Sequence, residues 1–579
     1  VDILQALTDL LNILVSPVGP PLVLVVGSLV VLLAGRWWRT PSRLTGIALF
    51  FVVIAGALLV LLWAQTEYPV YSRPWRPITQ IGTNLEWFGG DWNWYISGLI
   101  LLLGGIGILL SLNSRIQPQS NYPVVHNEYR RPSTNLAVHL AFLGSVLLFV
   151  NSRNLLTLVL TWVAMDLVML IRIAVRPENA SHPVDSLIKD NRAKGMSLVG
   201  ALLLMIGLLP AGMDGLGQAL NSPTLPYETV LLMLVAAGIR AGTYPFHLWL
   251  LPREDVEVDL SERLLDHMVP ALCGLWLLGW AVSNRGGEIL LQWPVLALIL
   301  LMLLGSAIAA WAAPDKPTHT TFVLVTSAGL AGLAGALASN QGPSALIWPT
   351  TAFALGGGLW LVGERAWQEW GWQIPVSVGA LALAGAPFTP GFLTQPAISQ
   401  LLVSGPSYRL LFVIYVLAQT IQIAALLRSW SAVSSSKRRL HPMAVIRLLF
   451  ACTAIGLALA LSGIRPSFIQ AMTKMSGAIP SQLGQYPSVI ADSAVWLTLA
   501  PPLILGCLLA IARHQVWQSL GSRAAQISYI SRLEWLFQAS WWGVNSVSEI
   551  TRNVARVIEG AGYMGWLAVF GLLGYLLVS

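Results

Sequence analysis

Sixteen stretches of about twenty predominantly apolar residues recur along the chain, near 12–34, 44–64, 94–112, 133–151, 154–175, 195–211, 228–250, 264–283, 293–312, 320–338, 345–362, 374–393, 408–428, 443–462, 493–512 and 562–578. At 1.5 Å of rise per residue, each is long enough to cross a hydrocarbon layer about 30 Å thick. Lipid offers no hydrogen bonds to a backbone, so stretches of this length must close their own ladder as α-helices. Composition agrees, with 55% hydrophobic and only 10% charged residues, against about 25% charged in soluble domains. The expected fold class is therefore all-α integral membrane, with about 16 transmembrane helices. The N-terminal run lacks a basic leader and a small-residue cleavage site, so it is expected to remain as a helix.

Basic residues set the expected orientation. If the helices alternate, the connections after odd-numbered helices carry 25 of the 33 lysines and arginines, the other face carries seven, and Arg240 alone is left inside. Such a bias places the odd connections in the cytoplasm and both termini on the opposite side, as in a prokaryotic cytoplasmic membrane or an energy-transducing internal one. The net charge of +7 then reports topology and contact with anionic lipid and does not point to nucleic acid.

Two apolar segments are interrupted in the same manner: "RAGTYPFHLW" in the seventh, around Pro245, and "LAGAPFTPGFL" in the twelfth, around Pro387 and Pro390. Proline removes a backbone donor, and a broken helix survives in lipid only where protein or a hydrated cavity satisfies the freed groups. Paired interruptions five helices apart fit two inverted five-helix repeats with an ion or substrate path at the breaks; a simple packing kink is the alternative. The expected organisation is helices 1–3 over 1–132, a first half over 133–283, a second half over 293–428, helices 14–15 over 443–512, a lateral segment over 514–560 and a terminal helix over 562–579. In the lateral segment Val544, Val547, Ile550, Val554 and Ile558 recur at helical spacing while Arg552, Asn553 and Arg556 face elsewhere. That is the pattern of an amphipathic helix on the cytoplasmic membrane surface.

At the breaks a family resemblance emerges. "AAGIRAGTYPFHLWLL…LLDHMVPALCGLWLL" resembles the segment of antiporter-like subunits of respiratory complex I and Mrp-type cation/proton antiporters in which a motif G-x-x-K-(S/A)-A-Q-x-P-x-H-x-W-L precedes a histidine-bearing helix. "SRNLLTLVLTWVAMDLVMLI" is similar to that family's fifth helix, "VSVGALALAGAPFTPGFLTQ" to its twelfth, and the sixteen-helix count to its largest complex I member. The resemblance implies a row of titratable groups at mid-membrane: a glutamate on helix five, lysine on seven, histidine or lysine on eight, and lysines on eleven and twelve. Here Val163 follows Trp162 where glutamate is expected, with Asp166 three residues on; Arg240 holds the seventh-helix position and His267, beside Asp266, the eighth. Leu355 and Gln395 stand where the last two lysines would be, with Thr351 one turn before Leu355.

These departures limit what carries over. A guanidinium stays protonated, so Arg240 biases a path electrostatically without loading and unloading a proton as lysine does. Asp166 and Arg240 read either as a static buried pair or as part of an ion path; His247, after the break, either caps freed carbonyls or lines a half-channel. His139 reads as structural. Cys273, Cys452 and Cys507 are far apart, and no zinc spacing, P-loop or nucleophile elbow is present, so neither a metal nor a self-contained catalytic centre is suggested. The 25 tryptophans fit interfacial anchoring. The expected function is that of a membrane subunit coupling a redox or conformational change in partner subunits, membrane and peripheral, to proton or sodium movement, with any redox cofactors in those partners. The alternatives are a scaffold that has lost conduction and the membrane partner of an inorganic-carbon uptake complex.

Overall fold

The computed structural model describes residues 2–38, 40–65, 68–75, 84–113, 132–174, 183–251, 260–403, 405–431, 442–474 and 486–559. Among these residues thirteen helices are long and apolar enough to span a membrane, and two shorter apolar helices, Ser197–Gly212 and Ile374–Ala384, fall at the sixth and twelfth expected segments. The terminal segment at 562–578 lies outside the described residues. The all-α membrane class therefore stands.

Both interruptions are built by one backbone device. The seventh helix, Tyr227–Ala241, stops because Gly242 adopts φ +65°, which turns its own N–H onto Ile239 O and that of Thr243 onto Gly238 O. The twelfth, Ile374–Ala384, stops at Gly385 with φ +79°, and the N–H of Ala386 returns to Leu381 O. A left-handed residue followed by backward hydrogen bonds satisfies the last carbonyls of a helix inside lipid, and glycine reaches that conformation without a Cβ clash. The chain resumes as a short 3-10 turn, Phe246–Leu250, in the first case, and as Phe392–Thr394 leading into the helix Gln395–Leu402 in the second.

The eighth span, Leu260–Leu290, crosses tightly beside the first break. A Cβ on Gly274 would lie 2.2 Å from Ala241 N, so the two backbones touch where the seventh helix ends. The eleventh span, Ser339–Trp370, and the twelfth approach each other the same way, with Gly379 against Trp360 N and Gly363 against Val376 N. Local π-turns widen the eighth span at Leu264–Met268 and the eleventh at Ala352–Gly356.

Three features differ from expectation. A two-stranded antiparallel hairpin, Val70–Pro74 paired with Asn84–Phe88, sits between the second and third spans, where a wholly helical chain was expected; the N–H of Phe88 donates to Asn151 O at 2.8 Å and that of Arg153 to Glu86 O at 3.0 Å. Several tryptophans expected at the interface are instead core residues. Trp92, Trp162, Trp276 and Trp360 are fully buried, and Asn93 Oδ1 accepts from the indoles of both Trp276 at 2.8 Å and Trp280 at 3.2 Å.

The third difference concerns the lateral segment, which is not one helix. Arg513–Leu520 ends at Gly521 (φ +52°) and belongs to the compact unit Val1–Gly521. In a second unit beginning at Ser522, the helices Ser522–Arg532 and Glu534–Glu559 are separated by Leu533 at φ +57°.

The crossing at Gly274 makes a prediction. Gly274→Val should lower stability by about 1–3 kcal/mol through overpacking against fixed backbone, seen as a reduced melting temperature of the detergent-solubilised protein, whereas Gly46→Ala, with open space beside it, should leave it within error.

Candidate functional site

The fifth span, Leu155–Ala174, is the hub of the charged interior. Asp166 projects from it toward the end of the seventh helix, where Arg240 Nη2 donates to Asp166 Oδ1 at 2.7 Å; the arginine side chain is 3% exposed and the aspartate 16%. Ser197 Oγ donates to the same carboxylate oxygen at 2.6 Å. The guanidinium carbon lies 3.9 Å from the centroid of the fully buried Trp162 ring, one turn before Asp166. A cation stacked on an indole and hydrogen-bonded to a carboxylate has its desolvation offset from two sides. Trp162, Met169, Ser197, Ile239, Arg240 and Trp249 line a small cavity at this pair.

A second pair runs the other way. Arg172, six residues beyond Asp166 on the same helix, is 3% exposed and its Nη1 is 2.5 Å from Asp266 Oδ1 in the widened turn of the eighth span. Its guanidinium also faces the Phe142 ring at 5.4 Å. The fifth helix thus gives a carboxylate to the seventh and a guanidinium to the eighth. Asp266 was expected to act with its neighbour His267; the structure instead gives it Arg172, which reads in sequence as one more cytoplasmic helix-end cation. His267 is buried, and its Nε2 has no hydrogen-bond partner among the described residues.

The broken seventh helix packs its other expected residue on the second half. His247 is fully buried, stacks on Tyr244 with centroids 5.0 Å apart and planes 6° apart, and tilts over Phe322 of the tenth span, Lys316–Leu337, at 4.8 Å. Pro245 lies in the turn between Tyr244 and His247. Trp249 Nε1 reaches back to Ile239 O at 3.1 Å and closes the turn.

The second half has no charged counterpart at the same depth among the described residues. Leu355 is 2% exposed. Thr351 is hydrogen-bonded to Tyr95 of the third span and donates to Ile347 O at 2.6 Å. Gln395 accepts from Tyr415 Oη at 3.2 Å, Gln419 Nε2 donates to Ala384 O at 3.5 Å, and Gln422 Nε2 donates to Ser327 Oγ at 3.1 Å. Pro387 and Pro390 flank Phe388, whose φ is +64°. Neutral amides and hydroxyls therefore occupy the second break. Charge in this half lies toward its helix ends, as in Lys316 Nζ–Glu364 Oε1 at 2.9 Å, in the Arg365–Glu369 pair and in Arg428, whose Nη1 donates to Trp311 O and Ala313 O. Sequence inspection missed Arg172, Glu364 and Lys316; the one available signal was that Glu364 is an acid within "GLWLVGERAW", otherwise apolar up to that point.

Fold and site together define a polytopic membrane protein organised on two discontinuous helices with an ion-paired interior. The comparisons sharpen that class. No family model matches the chain. It is 27% identical over 216 residues to a probable K+/H+ antiporter A/B-type subunit of Rhizobium meliloti (strain 1021), an alignment covering 34% of this chain and 20% of that protein. In structure it resembles a chain of the Mrp complex from Dietzia sp. DQ12-45-1b, with TM-score 0.69 and 16% identity over 96% of this chain and 62% of that one. It also resembles a chain of respiratory complex I from Thermus thermophilus, with TM-score 0.59 and 18% identity over 80% and 100%. A chain of the archaeal membrane-bound sulfane sulfur reductase matches with TM-score 0.62 and 14% identity over 96% and 99%. The chain spans a fifth of its curated relative and 62% of the Dietzia chain. Its fold is shared with chains of Mrp, complex I and sulfane sulfur reductase assemblies.

Deleting one member of a buried pair strands the other charge. Asp166→Ala should destabilise the protein by about 3–5 kcal/mol, and Asp166→Leu combined with Arg240→Met should recover most of that loss; a double-mutant thermal-denaturation cycle measures the coupling.

Proposed function

We propose that the chain is a membrane subunit of an Mrp-like or complex I-like assembly, in which it couples a partner's conformational or redox change to the movement of protons or sodium ions. The observation that carries this reading is the pairing of Asp166 with Arg240 beside a helix break. A charge at mid-membrane costs about 2.5–3.5 kcal/mol on insertion scales. A chain that places Asp166, Arg240, Arg172 and Asp266 on three adjacent helices therefore holds a charged centre that packing alone does not require. Neither guanidinium releases its proton, so the carboxylates with His247 and His267 are the groups that gain and lose charge, while Arg240 and Arg172 hold the field. Opening either ion pair frees a carboxylate to take up a cation, and a partner that moves the fifth helix acts on both pairs together. Partner subunits would hold any redox cofactors, and the lateral helices of the second unit would lie on the lipid surface.

A second reading is favoured by Leu355 and Gln395: a half whose break is filled by neutral amides fits a scaffold role for that half. The two readings diverge in one experiment. In proteoliposomes of the assembly that copurifies with the chain, Asp166→Asn with Arg240→Gln keeps hydrogen bonding and removes both charges. Translocation should fall at least tenfold while the subunits still copurify; unchanged translocation would leave only the scaffold role.

A further inference from the structure

The end of the second half that the basic residues assign to the cytoplasm contains a titratable cluster with no place in the expected row of mid-membrane groups. His319 lies one turn into the tenth span and is 4% exposed. Its Nδ1 is 2.9 Å from Ala310 O, which fixes the proton on that nitrogen and leaves Nε2 as the lone-pair atom. Nε2 has no hydrogen-bond partner among the described residues, nor has the indole N–H of Trp360, whose ring meets the imidazole edge-to-face at 6.4 Å. One turn toward the surface on the same two helices, Lys316 pairs with Glu364, whose side chain is 8% exposed while that of the lysine is 39% exposed. Lys316 and His319 are three residues apart on one helix, and Trp360 and Glu364 four apart on the other, so carboxylate and imidazole occupy successive layers of one seam.

We propose that Glu364 and His319 form a proton-loading site at this mouth. Lys316 pairs with the carboxylate at the rim; a water-borne proton drawn there moves onto His319 Nε2, giving an imidazolium whose Nδ1–H stays on Ala310 O. Release returns the proton from Nε2 to water on the inner side. The inner side leads to the first half, because Phe322, one turn deeper than His319, is the residue on which His247 packs. A turn of rise and that ring contact put the two imidazoles about 10 Å apart across Phe322. His267 lies close enough to His247 to interact with it electrostatically. The site therefore feeds the Asp166 and Asp266 centre from the other half and needs no charge at Leu355 or Gln395.

Three cations act on His319: Lys316, Arg428 and Arg513. Lys316 pairs with Glu364. Asp315, which caps the tenth helix by accepting from Thr318 N at 2.7 Å, acts on Arg428 of the thirteenth span. Arg513, at the start of the helix after the fifteenth span, also acts on His319 and stacks near Trp517 at 5.8 Å.

The proposal rests on the translocation reading, and two measurements separate their fates. With Cys507 replaced by serine, His319→Cys in inside-out vesicles should react with a small charged methanethiosulfonate from the cytoplasmic side, and addition of the reagent from the other side should give no labelling. Absence of cytoplasmic labelling overturns the loading site whatever the transport result. In proteoliposomes of the whole assembly, Glu364→Gln and His319→Gln should each lower translocation about tenfold or more, His319→Gln should flatten the dependence on cytoplasmic pH, and Glu364→Asp should restore most of the rate. Wild-type rates in both glutamine variants, with translocation abolished when Asp166 and Arg240 are neutralised, overturn the loading site alone. A wild-type assembly that moves no ions overturns both.

Discussion

The contact between Arg240 and Asp166 organises this molecule. A guanidinium that cannot be discharged, placed near the middle of a bilayer, must find a carboxylate, and the position of that carboxylate fixes how the fifth helix sits against the seventh. Trp162 then has to lie flat under the cation, and Ser197 must bring the sixth helix within hydrogen-bonding reach of the same carboxylate oxygen. The pair also needs the seventh helix to end where it does. Gly242 turns the chain immediately after Ala241, and Gly274 admits the eighth helix against that turn. The second pair, Arg172 with Asp266, follows from the same arrangement, because the eighth helix carried in by Gly274 presents its widened turn to the far end of the fifth.

The two halves solve one backbone problem with different side chains. Each breaks a helix at an Ala-Gly step with the glycine left-handed and the following amide folded back. The first half surrounds its break with ion pairs, and the second with the amides of Gln395, Gln419 and Gln422 and the phenol of Tyr415. Amides satisfy freed backbone groups without carrying charge, so the second break is stable in lipid yet unable to bind and release a proton. This asymmetry places ion pairs at the first break and, among the described residues, none at the second.

Much of this was legible in the sequence, for identifiable reasons. Helix placement follows from segment length, because lipid leaves the backbone no other solution; the breaks follow from proline. Arg240 and Asp166 stood out as charges within apolar runs. Arg172 did not, since near the end of an apolar run a buried cation and a cytoplasmic anchor look alike. Lys316 and Glu364 are 48 positions apart, and only the packing of the tenth helix on the eleventh joins them. Tyr95 and Thr351 are separated by 256 positions. The hairpin was hidden between two strong helical signals, and of the core tryptophans only Trp92 sits at a helix end, Trp162, Trp276 and Trp360 lying well inside their spans. Val163, three residues before Asp166, faces outward, whereas Asp166 faces Arg240.

The most direct test of the central contact is a high-resolution density map of the purified assembly in a lipid nanodisc. The expected result is the Arg240 guanidinium over the Trp162 ring, within hydrogen-bonding distance of Asp166, as in the 2.7 Å contact here. A guanidinium turned away to lipid headgroups, with Asp166 paired elsewhere, would contradict it.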